Sequence, residues 1–191
     1  EPDVAGMLRE LPDKQLAYAH EDGAEFLDAT QNARLVRNAE AYYRVMYYGG
    51  AASWNLRDRH MFETLQQLLS AHGPDAKAVV WAHNSHIGDA RHTEMGQVRE
   101  EHNIGQLCRQ AHGTAAALLG FGTHSGTVAA ASDWDAPMQV MAVNPSRPDS
   151  IERNFHDAGV PRGLLDLRDD AAGTERMRAR CWNRRSLASS I

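Results

Sequence analysis

Residues 77–82 read Lys-Ala-Val-Val-Trp-Ala, and the chain then breaks at once into His83-Asn84-Ser85-His86. A short continuous apolar run has no polar face to leave in water. It fits a strand covered on both sides, as strands of a parallel sheet are. Such a sheet needs helices over its faces and long crossover connections. Ala115–Phe121, Met138–Val143 and Gly163–Leu167 are further candidate strands.

The helices that would cover the sheet are also legible. From Gly23 to Tyr48, small or apolar positions (Phe26, Ala29, Ala33, Val36, Ala39, Tyr43, Met46) recur every three or four residues, and Gly49-Gly50 ends the run. A second helix is predicted from Asn55 to Ala71, with Met61, Leu65, Leu68 and Leu69 on one side and Gly73-Pro74 after it. Asn103 is placed to cap a helix carrying Ile104, Leu107, Cys108 and Ala111, closed by Gly113. Asp149 or Ser150 starts another, with Ile151, Phe155 and Ala158 before Gly159. The predicted fold is α/β: a partly parallel sheet flanked by helices, with a long N-terminal helix or helical insertion.

At 191 residues the chain suits one domain, predicted over residues 1–172. Residues 173–191 carry Arg176, Arg178, Arg180, Arg184 and Arg185 with little apolar periodicity, and read as a solvated tail. A net charge of −5 argues against a nucleic-acid footprint. No apolar run approaches the roughly 18 residues of a membrane span. Neither a nucleic-acid nor a membrane partner is therefore expected. Cys108 and Cys181 are too few for a disulfide scaffold and fit a reducing cytoplasm. None of these features sets the oligomeric state.

Ten histidines invite a search for acid–base or metal chemistry. His83 and His86 follow the predicted strand, where side chains of a parallel sheet meet ligands. Two imidazoles there can hold and pass a proton at neutral pH. Asn84 can donate a hydrogen bond to a developing oxyanion. The alternatives are packed loop histidines, or a divalent metal on His83 and His86 with His60, Asp89, His92 or Glu94 as third ligand. The spacing is not the His-Glu-x-x-His of zinc proteases.

A second cluster, Trp54-Asn55-Leu56-Arg57-Asp58-Arg59-His60-Met61, opens the second helix. Arg57 and Arg59 can clamp a carboxylate or oxyanion, and Asp58 can orient a histidine. The plainer reading is an acidic first turn with solvated arginines. Gly120-Phe-Gly122-Thr-His124-Ser125-Gly126 lacks the Lys-Ser/Thr of a phosphate loop and does not match G-x-G-x-x-G, so it reads as a turn. There is no G-x-S-x-G elbow. Cys108 reads as core and Trp134 as part of a surface turn.

Together, Asn55-Leu-Arg57-Asp58-Arg59-His60-Met61, Val80-Trp-Ala-His83-Asn84-Ser85-His86-Ile-Gly-Asp89 and Gly120-Phe-Gly122 resemble the erythromycin esterase family, which includes succinoglycan-biosynthesis-like proteins. The resemblance runs from Asn32 to Arg168. It implies an α/β fold with a helical insertion, and hydrolysis of a macrocyclic lactone ester by an activated water without a cofactor. It implies His83, His86, Arg57 and Asp58 as catalytic groups, with Asn84, Asn55, His60 and Asp89 binding substrate. The family's Gly-Glu-x-x-His-Gly motif, whose Glu and His serve in water activation, is not among these residues. The chain thus reads as the second half of such a domain, expected to turn over little substrate alone. A metal-dependent hydrolase of another substrate and a non-catalytic binding module remain the alternatives.

Overall fold

The computed structural model describes residues 23–168, apart from Trp134. Residues 1–22 and the Arg-rich stretch 173–191, with Cys181, lie outside the described residues.

Helix α1 spans Gly23–Met46 and α2 spans Ala51–His72. Gly50, at φ 77°, makes the sharp entry into α2, a conformation glycine adopts without a Cβ clash. The helix therefore begins before the predicted Asn55, and the Asn55 side chain is released from any capping duty. The two helices form an antiparallel hairpin. Gln31 pairs with Gln67 at 2.5 Å, Arg34 with Glu63 at 3.2 Å and Asn38 with His60 at 2.5 Å, the partner's number falling as the first rises.

Short elements follow: α3 (Asn84–Ile87), a 3-10 turn (Ala90–His92), α4 (Glu94–Gln97) and α5 (Ile104–His112). Asn103 caps α5 as predicted, its Oδ1 accepting the Gln106 amide at 2.9 Å. Among the described residues, the buried apolar side chains are Ala90, Met95 and Ile104, and beside them Asp58, Asp89 and Asn103 are buried too. This core sits where α2 and α5 meet the turns between them. Gly105 is required there: a Cβ would collide with the backbone carbonyls of Ile87 and Gly88.

The sheet differs from the prediction. It has two strands, β1 (Gly126–Ala130) and β2 (Gln139–Val143), paired antiparallel with Val128 opposite Met141. Thus the Met138–Val143 run does form a strand, but its partner comes from just beyond the Gly-rich turn. No parallel pairing is seen among the described residues. Lys77–Ala82, Ala115–Phe121 and Gly163–Leu167 are not strands. Val79 is 92% exposed and Trp81 85%. Apolar composition marks where burial would be favourable, but a strand exists only through hydrogen bonds to a neighbour. Among the described residues the only strand ladder is that of β1 with β2, so none of these runs has one, although the ends of two of them, at Trp81 and Phe121, lie near each other. Finally α6 (Ile151–Asp157) is capped by Ser150, which accepts the Arg153 amide at 3.2 Å. Among the described residues, no helix is long and apolar enough to cross a membrane.

Candidate active site

The site grows from the first half of α2. Trp54 and Asp58 are four residues apart and so share a helix face, the one turned toward α3 and α5. Asp58 is fully buried. Its carboxylate accepts the Ile104 amide at 3.0 Å and the Nδ1 proton of His86, whose nitrogen lies 2.9 and 3.1 Å from the two oxygens. A buried carboxylate is costly unless hydrogen-bonded, and these bonds offset that cost. The Trp54 ring stacks on the His86 imidazole, with centroids 4.7 Å apart and planes inclined by 4°. The indole N–H is itself held, donating to the His102 carbonyl at 2.8 Å. His86 is thus fixed in both direction and plane. With Nδ1 donating, the lone pair is on Nε2, which has no hydrogen-bond partner among the described residues.

His83 is held in the opposite tautomer. It is the N-cap of α3, and its Nδ1 accepts the Ser85 amide at 3.2 Å. Its Nε2 therefore carries the proton when the ring is neutral. The residue is exposed, and its ring is held by Ser85, whose hydroxyl also lies 3.0 Å from Nδ1. Arg57 is also exposed, its guanidinium carbon 4.8 Å from the Trp54 ring centroid.

The four residues expected to bind substrate are engaged with the protein. Asn55 donates to the Glu100 carbonyl at 3.0 Å and accepts the His102 amide at 2.8 Å, pinning that loop to α2. Asn84 grips Phe121 by both backbone groups, donating to its carbonyl at 2.5 Å and accepting its amide at 3.0 Å. It thereby ties the His-Asn-Ser-His segment to the Gly-Phe-Gly turn, and the Trp81 and Phe121 rings lie 5.6 Å apart. Asp89 is chelated by Arg91, at 2.9 Å from Nε and 2.6 Å from Nη2. Burial opposes its ionisation, but the Arg91 hydrogen bonds and charge outweigh burial and leave its pKa below the ordinary value. His60 faces α1, away from His86. Burial foremost, then Arg34 and Arg37, lower its pKa against the pull of Glu63.

Trp54 and His102 were not singled out as functional groups by sequence, although the four-residue step from Trp54 to Asp58 is itself visible there. Burial and the Arg59 charge lower the His102 pKa, against its Asn55 hydrogen bond and Asp58. Among the described residues, no three or more His, Cys, Asp or Glu side chains are grouped to hold a metal ion.

The erythromycin esterase family model matches residues 1–188, extending on both sides of the Asn32–Arg168 stretch that the motifs delimit. No solved structure matches the chain.

Proposed function

The chain belongs to the erythromycin esterase family, and on that premise we propose that it hydrolyses an ester or lactone with a water activated by His86. The family supports an esterase-like hydrolase, and the observation that carries the finer reading is the Asp58–His86 pair. Asp58 sets the tautomer and stabilises the imidazolium that forms when Nε2 takes a proton from water. Arg57 supplies positive charge for the developing oxyanion. The His86 imidazolium then returns that proton to the departing alkoxide, and the Nε2–H of neutral His83 can donate a hydrogen bond to the same oxygen. The substrate class is a lactone or simple ester of a small molecule, macrolides included.

The test is hydrolysis of erythromycin and of an aryl ester above the uncatalysed rate, by the chain and by His86→Gln, with and without a chelator. A positioned base contributes about 10²–10⁴-fold, so His86→Gln should remove most of the excess rate. A rate indifferent to this substitution removes His86 as the base. Loss on chelation would move the chemistry to a metal, and no excess rate from the unsubstituted chain would leave either a half-domain that is inactive alone or a binding module.

A further inference from the structure

The α1–α2 hairpin does not close completely. A cavity of about 160 Å³ opens between Asn38, Ala39 and Tyr42 on α1 and Leu56, Arg57 and His60 on α2. The same pattern of positions (i, i+1, i+4) on each helix aligns two facing walls. Ala39 supplies the smallest side chain in the lining, so space remains where a larger residue would close the helices together. The polar atoms on the walls are largely spent: Asn38 and His60 bond each other at 2.5 Å. What faces the space is carbon. A volume of about 150 Å³ is enough for a molecule the size of benzene.

Arg57 stands at the edge of α2, between the α1-facing cavity and the Trp54–His86 stack. It lines the cavity and also lies over Trp54, the ring that stacks on His86. A carbonyl whose oxygen meets the Arg57 guanidinium would therefore direct the group attached to its carbon toward Ala39 and Leu56.

We propose that the α1–α2 cavity is the acyl subsite, taking an apolar group up to the size of a phenyl ring with Arg57 on the adjoining carboxyl oxygen. This rests on the ester-hydrolase reading above. It makes the acid product of such an ester, an aryl or branched alkyl carboxylate, a ligand in its own right.

The experiment is titration of the 191-residue chain with benzoate, followed by NMR on the Tyr42 and His60 signals, with acetate as the comparison. Benzoate should bind saturably and acetate far more weakly. Ala39→Leu, which fills the cavity, should weaken benzoate by about tenfold or more, the scale set by misfit in an apolar pocket. Leu56→Ala enlarges the space and should shift preference from benzoate toward 2-naphthoate. This second variant decides the matter if Ala39→Leu does not fold. Benzoate affinity unchanged by Ala39→Leu, unchanged preference in Leu56→Ala, or acetate binding as tightly as benzoate would overturn the subsite. Binding with the expected pattern but no ester turnover leaves the subsite standing and removes the hydrolase reading. Turnover of benzoate esters with selectivity indifferent to both variants does the reverse.

Discussion

The carboxylate of Asp58, on the second helix, accepts the Nδ1 proton of His86 at 2.9 Å, although 28 residues separate them in the chain. The pair is asymmetric. Asp58 is wholly buried, while the His86 side chain keeps 18% of its surface. The carboxylate thus lies inside and the imidazole at the boundary, where its far nitrogen can meet water.

Asp58→Asn tests what that arrangement does. An amide can still accept the Ile104 N–H, but its NH₂ group would face His86 Nδ1 and force the other tautomer, with the proton on Nε2. The hydrolysis rate should fall by about 10²-fold or more. Nitrogen-15 shifts of the imidazole should show the proton moved from Nδ1 to Nε2. Unchanged tautomer and rate would reduce Asp58 to a structural anchor.

Trp54 separates orientation from chemistry. Trp54→Phe keeps a flat ring under His86 but loses the N–H bond to the His102 carbonyl, at a cost of about 1 kcal/mol in urea unfolding. Trp54→Leu loses the stacked face as well. It should lower kcat more than Trp54→Phe does, with KM little changed. Equal kcat in the two variants would show that stacking does not position His86.

Much of this was readable in the sequence, and the limits follow from distance along the chain. The Asn103 cap and the Ser150 cap are local events, set by a few neighbouring residues, and they occur where the residues predict, while α1 ends at Met46, two residues before the predicted Tyr48. The strands are not local. Val79 and Trp81 look like core because they are apolar, yet whether they are covered depends on what lies beside them. Equally, the two motifs carrying Asp58 and His86 are visible separately, but the turn that joins them depends on Gly105 letting α5 pass against the Ile87 and Gly88 carbonyls. Asn84 shows the same limit: its type suggested an oxyanion donor, while its actual partners, both on Phe121, are 37 residues away.

Gly105→Ala should therefore be severe for a single methyl. The Cβ meets backbone carbonyls, which cannot move aside as a side chain tip would. A loss of about 1–3 kcal/mol or more is expected from overpacking, read as a lower urea midpoint at unchanged slope. Because the displaced segment leads out of α3, the Asp58–His86 bond should weaken with it. Ala at this position with unaltered stability would mean that α5 does not pack on α3 this closely.

The pH dependence of stability comes last. His60 and His102 both have pKa values below the ordinary 6.5, through burial first and then through Arg34 for His60 and Arg59 for His102. A depressed folded pKa means the unfolded chain binds more protons in this range, so unfolding becomes easier as acid is added. Their contribution is whole above pH 6.5 and declines as pH falls from there through the folded pKa. Asp89, whose pKa is lowered from 3.8, adds its own loss only further down, once its carboxylate is protonated against Arg91. Urea midpoints from pH 7.5 to 5.5 should therefore fall for the unsubstituted chain. The slope should flatten in His60→Gln, whose amide can still accept from Asn38 and carries no titrating proton, and flatten further when His102→Gln is added. Asp89→Asn should leave the slope in this interval as it was, since its carboxylate stays ionised throughout. A slope that survives both histidine substitutions would assign the acid sensitivity to other groups.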